Sequence, residues 1–312
     1  MVLNRRNFLG KAILGSSALT LGGILQPVYA GNESRKITIL HTNDVHSRID
    51  PFPNDGSPNA GKGGVAARAA LIKSIRRSEA NVLLLDAGDI FQGTPYFNYW
   101  GGELEIKMMS MMGYDASTMG NHDFDNGVEG FAKQLVHANF PILNANYNFT
   151  DTAMEGKSKP YQIFTKNGIK IGVFGVGIEL TGLVNAKQYG ATQYQNPVQK
   201  ANEIEQFLKY ELKCDLIICL SHLGYQYKEK KVSDIVLAQS TKHIDLIIGG
   251  HTHTFLYQPS PIKNLAGKLT LVNQVGFAGI NLGRVDFVFD SITNKKIFYT
   301  SAIEPIGENS KI

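Results

Sequence analysis

Residues 244–253 read Ile-Asp-Leu-Ile-Ile-Gly-Gly-His-Thr-His, an apolar run that leads directly into two histidines. A short apolar run followed by glycines is typical of a buried strand, and the histidines then lie in the loop at its carboxyl end. Four other segments show a short strand pattern followed by Asp, Asn or His. The polar ends of these segments are Asn43–His46, Gly88–Asp89, Gly120–Asp123 and His222. Because ligands bind outside the carboxyl ends of strands in open α/β sheets, these five loops are predicted to meet at one rim.

The segments between the five loops alternate between strand and helix patterns. Val82–Ala87 and Leu216–Ser221 are short apolar runs typical of buried strands, whereas Gly64–Ser78 has apolar residues at helical spacing. Further helices are predicted over Glu103–Met112, Glu129–Ala138, Pro197–Leu212 and Lys230–Gln239. Residues 269–301 are rich in strand patterns. Strands that alternate with helices predict a layered α/β domain, and the terminal β segment predicts mixed rather than purely parallel sheets.

Composition and charge limit the class of protein. The chain has 312 residues, of which 43% are hydrophobic and 19% charged, and such a chain can bury a large core without disulfides. Three of the positive charges, Arg5, Arg6 and Lys11, lie in the first 30 residues, where there is no acid, so the rest of the chain is almost neutral. No basic stripe therefore predicts binding to a nucleic acid polymer. Cys214 and Cys219 are expected to be buried thiols.

The first 30 residues have the order of a signal peptide. A basic stretch, Asn4–Lys11, precedes a weakly apolar stretch, Ala12–Leu25, and a cleavage-type sequence, Val28–Ala30. The paired arginines before Phe-Leu resemble a twin-arginine signal. The apolar stretch is glycine-rich and shorter than the about 20 residues that span a membrane, so no permanent membrane anchor is expected. We predict cleavage after Ala30, export to the periplasm and a mature domain over residues 31–312.

The residue types in the five loops are those of a metal site. Imidazole and carboxylate together suit zinc, manganese or iron, and the absence of cysteine argues against a structural zinc site. A bridging carboxylate can hold two such ions about 3.5–4 Å apart. Taken singly, Asp44 and Asn121 are more often turn or cap residues, and a lone histidine is more often a hydrogen-bonded core or loop residue. Five of the eight histidines directly follow strand patterns, and this arrangement predicts a metal centre.

The same segments, taken in order, carry a resemblance to a known family. Asp44–His46, Gly88–Asp89, Gly120–Asp123, His222 and Gly250–His253 resemble the calcineurin-like metallophosphoesterase pattern. The wider strings His41–Asp44, Asp86–Asp89, Gly113–Ala116 and Gly120–Asp125 resemble the bacterial 5′-nucleotidase family, which includes the periplasmic UDP-sugar hydrolase. The resemblance runs from about Lys36 to Asp290. It implies a four-layer α/β sandwich, with two mixed β-sheets flanked by helices, as the catalytic domain over residues 31–312.

The resemblance also implies a role for each polar residue of the rim. The ligands would be Asp44, His46 and His253 for one ion, Asn121, His222 and His251 for the other, and Asp89 between the two. Asn121 and His122 would contact the substrate phosphate. His122, oriented by Asp125, would stabilise the developing negative charge or protonate the leaving alkoxide. A metal-bound hydroxide would attack the phosphate ester. Asn43 and Asp86 are expected to support the ligands.

Four positions depart from the family pattern. Val45 and Ser47 flank His46 where relatives often have His and Gly. Asp123 stands where Glu is common, and His253 occupies a ligand place that is Gln in some relatives. A second imidazole at that place favours a softer ion. The resemblance therefore implies two divalent ions but leaves their identity open between zinc, manganese and iron.

These implications predict an exported dimetal phosphohydrolase of the 5′-nucleotidase type. Nucleotide-sugar and cyclic-nucleotide phosphodiesterases, and thiosulfate-ester hydrolases, share such a metal domain and remain alternatives. Full-length nucleotidases of the family carry a second, base-binding domain, and this sequence ends at Ile312, so a separate nucleotide-binding chain is a further expectation. A non-catalytic metal-binding scaffold is the alternative from another class, but it would have no need of His122 paired with Asp125.

Overall fold

Fifteen strands in residues 34–307 form two large β-sheets and one small two-stranded sheet. The structure is a computed structural model that describes Ser34 to Gly307. The predicted signal peptide, residues 1–30, lies outside the described residues. The strands are β1 (Ser34–Thr42), β2 (Val82–Asp86), β3 (Ala116–Ser117), β4 (Ile142–Leu143), β5 (Tyr147–Asn148), β6 (Ser158–Lys159), β7 (Tyr161–Lys166), β8 (Ile169–Gly177), β9 (Gln193–Tyr194), β10 (Leu216–His222), β11 (Leu246–Gly249), β12 (Ser260–Lys263), β13 (Leu269–Asn273), β14 (Asn281–Asp290) and β15 (Lys296–Pro305).

Seven α-helices connect these strands within the same range. They are α1 (Val65–Ser78), α2 (Pro95–Trp100), α3 (Glu103–Met112), α4 (Gly127–Gln134), α5 (Ala186–Tyr189), α6 (Pro197–Gln206) and α7 (Asp234–Gln239). Short 3-10 turns cover His122–Phe124 and Leu135–His137, and α6 continues as a π-helical turn over Phe207–Glu211. The Asn196 side chain accepts hydrogen bonds from the first backbone N–H groups of α6, which fixes where that helix begins.

Both large sheets are mixed. The first has the strand order β15-β14-β1-β2-β3-β4-β6, and the second has the order β12-β13-β11-β10-β8-β7. Strands β1, β2, β3, β4 and β6 run parallel in the first sheet, and β8, β10, β11 and β13 run parallel in the second. Antiparallel strands complete the edges, β14 and β15 in the first sheet and β7 and β12 in the second.

Alternating side chains on the parallel strands divide the core into three layers. In β2, Leu83 and Leu85 pack between the two sheets, whereas Leu84 packs against the helices outside the first sheet. In β10, Ile218 faces the space between the sheets, and Ile217 faces the helices outside the second sheet. Successive side chains of a strand point to opposite faces, so each sheet is covered on both sides. The result is a four-layer sandwich of helices, sheet, sheet and helices, and the predicted fold class is confirmed.

The structure corrects several predicted elements. The helix predicted over Lys230–Gln239 begins only at Asp234, because Ser233 caps it by accepting the backbone N–H of Val236. The predicted helix Glu129–Ala138 begins at Gly127 and ends as a 3-10 turn. Strand β7 and helices α2 and α5 have no counterpart among the predictions. Cys214 and Cys219 are buried free thiols, as predicted.

The carboxyl ends of the parallel strands lie along one edge of the sandwich. Loops leave the first sheet there after Thr42, Asp86 and Ser117, and leave the second sheet after His222 and Gly249. Four of these loops carry a predicted polar segment, and the fifth polar residue, His222, is the last residue of β10. Among residues 34–307, no helix has the length and apolar character needed to cross a membrane.

Candidate metal centre

The backbone at the rim adopts conformations that side-chain-bearing residues rarely take. Positive φ angles occur at five residues of the predicted ligand set, which are Asp44 (49°), His46 (50°), Asp89 (55°), His251 (74°) and His253 (52°). Such left-handed conformations cost free energy outside glycine and tend to cluster at functional sites. The strain is therefore concentrated in the loops that present the predicted ligands.

One group of side chains consists of Asp44, His46 and His253, whose potential ligand atoms all lie within 4.8 Å of one another. The Nε2 atoms of His46 and His253 are 3.0 Å apart, and His253 Nε2 lies 3.5 Å from Asp44 Oδ1. The ring of His253 stacks on Phe277 at a centroid distance of 5.1 Å, which fixes its plane. Two residues of this group come from the first sheet and one from the second.

A second group consists of Asp89, His222 and His251, with potential ligand atoms again within 4.8 Å of one another. His222 Nε2 lies 3.1 Å from Asp89 Oδ2. Asn121 joins this group because its Oδ1 lies 2.7 Å from His251 Nδ1. Here one carboxylate and one amide come from the first sheet, and both histidines from the second.

Asp89 lies between the two groups. Its Oδ2 is 3.1 Å from His222 Nε2 in the second group and 3.8 Å from His46 Nε2 in the first. Asp44 makes a similar cross-contact, since its Oδ1 lies 3.9 Å from His222 Nε2. All seven residues predicted as ligands are thus brought together, and the residue predicted to bridge lies where both groups meet.

Backbone carbonyls orient two of the imidazoles. His222 Nδ1 lies 2.7 Å from the carbonyl oxygen of Ala87, and His46 Nδ1 lies 3.3 Å from that of Phe91. A carbonyl only accepts, so each Nδ1 carries a proton and donates it, and each Nε2 is the nitrogen that faces the site. Among residues 34–307, the buried His222 Nε2 has no hydrogen-bond partner, although Asp89 Oδ2 lies 3.1 Å away. A nitrogen without a hydrogen-bond partner, aimed at a carboxylate, is suited to a metal ion that would replace the proton there.

The charges of the site also fit cations. Asp44 and Asp89 are 0% and 1% exposed, and among residues 34–307 only histidines lie within ion-pair distance of them. Burial lowers the pKa of His222, but Asp89 and Asp44 outweigh it and raise that pKa to about 10. Burial opposes ionisation of Asp89, yet His222 and His46 hold its pKa well below the usual range. Two buried carboxylates without Lys or Arg need positive charge, so the residues fit two divalent ions.

His122 and Asp125 form a pair at the open side of these groups. His122 Nδ1 lies 2.8 Å from Asp125 Oδ2, and the imidazole is 42% exposed. The hydrogen bond to Asp125 raises the pKa of His122. The backbone N–H of His122 donates to Asp89 Oδ1 at 2.8 Å, and the His122 ring lies 5.3 Å from that of His46. The backbone of His122 is therefore tied directly to Asp89, while its imidazole is partly accessible to solvent.

Asn43 and Asp86 lie behind the ligands, where the sequence predicted supporting residues. Asn43 Nδ2 donates to Asp44 Oδ2 and to the Gly276 carbonyl, both at 2.6 Å. Its Oδ1 accepts the backbone N–H of Val275 at 3.0 Å, so it ties β1 to the end of β13. Asp86 accepts hydrogen bonds from Thr42 and Ser117 and from the Gly88 backbone N–H.

Asp123 supports the site in a way that the sequence did not predict. Its fully buried carboxylate accepts the backbone N–H groups of Gly120, Asp89, Ile90 and Phe91 at 2.8 to 3.2 Å. Burial raises the pKa of this carboxyl group to about 7. The sequence marks Asp123 only as a departure from the family pattern. Nothing in its spacing signals that three of these partners lie more than 30 residues earlier in the chain.

Comparison with known proteins identifies the family. The profile described as calcineurin-like phosphoesterase matches residues 37–255. This chain belongs to that family. The match covers all seven residues of the two groups together with His122 and Asp125, and ends shortly after His253.

The calcineurin-like phosphoesterase is similar to several proteins named 5′-nucleotidases. It is 38% identical to the 5′-nucleotidase of Bos taurus over 94% of this chain and 52% of that protein. The crystal structure of a 5′-nucleotidase precursor from Thermus thermophilus superposes with a TM-score of 0.79 at 30% identity, covering 88% of this chain and 55% of that one. The calcineurin-like phosphoesterase YfkN of Bacillus subtilis superposes with a TM-score of 0.72 at 27% identity, covering 90% of this chain and 93% of that one. The chain spans about half the length of the curated relatives that it matches.

Proposed function

We propose that this calcineurin-like phosphoesterase hydrolyses phosphate esters of nucleotides, with two divalent ions as cofactors. Asp44, His46 and His253 would hold one ion, Asn121, His222 and His251 the other, and Asp89 both. The proposal is supported by the convergence of these side chains on two adjacent groups and by the names of the relatives. Their nitrogen and oxygen donors suit zinc, manganese or iron.

The observation that carries the proposal is the position of His122. A metal site that only stabilises the fold has no use for a half-exposed imidazole paired with a carboxylate. His122 lies at the open side of the two groups, with its Nδ1 held by Asp125 at 2.8 Å. Its Nε2 is therefore free to face a bound substrate, which is the arrangement that acid–base catalysis requires.

The chain's own residues would position the ester and manage one proton. Bound ions supply the positive charge that clamps a phosphoryl group and the acidity that activates water for in-line attack. The Asn121 side chain would contact a phosphate oxygen. His122 would donate the proton on Nε2 to the leaving oxygen, while Asp125 keeps the Nδ1 proton in place and stabilises the imidazolium. Asp123 would hold the Asp89 loop in position through its four hydrogen bonds from backbone N–H groups.

The test is phosphate release by the metal-depleted and reloaded protein. We expect chelation to abolish turnover and Mn²⁺, Zn²⁺ or Fe²⁺ to restore it, with both ions bound. A panel of AMP, a nucleotide sugar, a cyclic nucleotide and p-nitrophenyl phosphate would separate the nucleotidase reaction from the phosphodiesterase alternatives. His122→Asn should lose most turnover while keeping its metals. His137→Asn is the matched control, because His137 lies on another 3-10 turn, away from both metal-binding groups.

Bound metals without turnover of any phosphoester would refute this function. That result would favour the metal-binding scaffold, which needs the ligands but not the pair of His122 and Asp125. Equal losses in His122→Asn and His137→Asn would also contradict the assigned role, because they would point to a general effect on the fold.

We also propose that the protein is exported to the periplasm by the twin-arginine route. The support is in the sequence, where Arg5 and Arg6 precede an apolar stretch and a cleavage-type sequence ending at Ala30. Export in the folded state would allow the metals to be loaded before translocation. Changing both arginines to lysine should leave active protein in the cytoplasm, and unchanged periplasmic activity would refute this route.

A further inference from the structure

One buried glutamine lies directly behind the loop that carries His251 and His253. Gln274 follows the last residue of β13, Asn273, and its side chain is 0% exposed. The loop in front of it, Gly250–Thr254, contributes one histidine to each group of the metal centre. No feature of the sequence marks Gln274, because its partners lie 20 to 24 residues earlier in the chain.

The amide of Gln274 contacts the loop on both sides of the two histidines. Its Nε2 donates to the carbonyl oxygen of Gly250 at 2.5 Å, just before His251. Its Oε1 accepts from the Thr252 hydroxyl at 3.0 Å and from the backbone N–H of Thr254, just after His253. The three contacts therefore lie at the start, in the middle and at the end of the segment that presents both imidazoles.

This support matters because the loop does not favour its own conformation. His251 and His253 have φ angles of 74° and 52°, in the left-handed region. Such a conformation is unfavourable outside glycine and persists only where the surroundings enforce it. Inside the loop, Thr252 makes hydrogen bonds to the Gly250 carbonyl and to the Thr254 hydroxyl, at 3.0 and 2.9 Å. These local hydrogen bonds do not involve the Thr254 backbone N–H, which donates to Gln274 Oε1.

An amide is the one side chain of this size that meets both requirements of the loop. It offers a donor and an acceptor in one plane, and the loop presents a carbonyl at Gly250 and an N–H at Thr254. A methionine would fill much the same volume and make neither hydrogen bond. The choice of residue is thus explained by the backbone that it faces and not by packing alone.

We propose that Gln274 is a positioning residue that holds His251 and His253 in the geometry that their ions require. One buried amide thereby sets the ligand geometry of both groups at once. The inference rests on the proposed function, since it takes both groups to bind divalent ions. Partners of metal ligands typically change metal affinity by about 10- to 100-fold when they are replaced, and we expect the Gln274 effect in this range.

The experiment measures metal binding itself. Wild type, Gln274→Met and Asn264→Asp are depleted of metal and titrated with Zn²⁺ or Mn²⁺ against a competing chelator. Asn264 is the matched control, because it is a buried amide near the opposite end of β13 that accepts the backbone N–H groups of Ala266 and Lys268 at 3.0 Å. Absorption spectra of the Co²⁺-loaded proteins report ligand geometry, and unfolding in excess chelator reports stability without metal.

We expect Gln274→Met to bind both ions about 10- to 100-fold more weakly and to change the Co²⁺ spectrum. Asn264→Asp should keep the wild-type affinity and spectrum, whatever its loss of stability. Thr252→Val is the second variant should Gln274→Met not fold. It removes the hydroxyl that donates to Gln274 and that also hydrogen-bonds to the Thr254 hydroxyl and to the Tyr225 backbone N–H. It should weaken binding by at least about fivefold, the equivalent of the one hydrogen bond to Gln274.

Two outcomes would overturn the inference. In one, a folded Gln274→Met binds both ions as wild type does, with an unchanged spectrum. In the other, Gln274→Met does not fold and Thr252→Val binds like wild type. Either result leaves the proposed function intact. A wild-type protein that binds no divalent ion would instead refute the proposed metal centre, and the role of Gln274 with it.

Discussion

A single methyl group placed at Gly120 should disable the metal centre without unfolding the protein. Gly120 lies between β3 and Asn121, and its φ is outside the left-handed region, so alanine meets no conformational penalty there. Its Cβ would instead lie 2.1 Å from Asp89 Oδ1, 2.5 Å from the Asp89 backbone nitrogen and 2.6 Å from His222 Cε1. Neither neighbour can move away without disturbing a hydrogen bond, because Asp89 Oδ1 accepts the His122 backbone N–H and His222 Nδ1 donates to the Ala87 carbonyl oxygen.

The size of the effect follows from these distances. A Cβ contact below 3.0 Å is essentially never observed, so the Gly120→Ala variant must move Asp89 Oδ1 by about 0.9 Å. A displacement of about 1 Å in a catalytic geometry costs about 100-fold in rate. Because Asp89 is proposed to hold both ions, one displacement would act on both. We expect kcat/KM to fall by about 100-fold, equivalent to about 2.7 kcal/mol of transition-state stabilisation.

The assay compares Gly120→Ala with Gly172→Ala. Gly172 lies in β8, and an added Cβ there would meet Leu208 methyl groups at 3.0 Å and Cys214 Sγ at 3.1 Å, which are side-chain atoms that can move slightly. Phosphate release from AMP, metal content and thermal unfolding are measured for both variants. Gly172→Ala should lose some stability but little activity. A folded Gly120→Ala with both ions and a kcat/KM within about threefold of wild type would refute the reasoning.

Three further predictions concern residues at or near the same edge. Asp89→Asn should lose both ions by metal analysis, because the shared carboxylate contributes to each group; retention of both would contradict its bridging role. His122→Asn should lower kcat by about 10²–10⁴-fold, and Asp125→Asn should lower it by less. Hydrolysis of AMP should be affected more than that of p-nitrophenyl phosphate, because the alkoxide that leaves AMP needs a proton. Equal effects on the two substrates would contradict proton donation. Burial lowers the pKa of His41 to about 3, so the unfolded chain takes up its proton near pH 6.5 while the folded one does not. The free energy of unfolding therefore decreases as pH falls. Between pH 7 and pH 5, urea unfolding should show that this free energy decreases by about 2 kcal/mol more in wild type than in His41→Gln. Equal decreases in the two proteins would contradict this cause.

The parallel strands and their loops could be predicted because a local pattern records them. Strands β2 and β10 are buried on both faces, so each is a continuous apolar run that stands out in the sequence. The residues that follow such strands meet at one edge for topological reasons. For this reason Asp44, Asp89, His222 and His251 could be grouped from the sequence alone.

Other features depend on contacts that no local pattern records. Strand β7 is a half-exposed edge strand, and its mixed sequence resembles a loop. Helix α2 presents Tyr99 and Trp100 to solvent at 88% and 51% exposure, which contradicts the rule that aromatic residues mark the core. Gln274 and Asp123 act through backbone groups that are distant in the sequence, and their spacing to the ligands carries no information.

Each group of the metal centre combines residues from both sheets, and this has a mechanical consequence for the fold. In one group, Asp44 and His46 come from the first sheet and His253 from the second. In the other, Asp89 comes from the first sheet, and His222 and His251 from the second. If each group holds an ion as proposed, that ion would crosslink the two halves of the sandwich. A chelator would then act on this protein much as a reducing agent acts on a disulfide, since it frees one edge of the fold to open while the chain and its core remain intact.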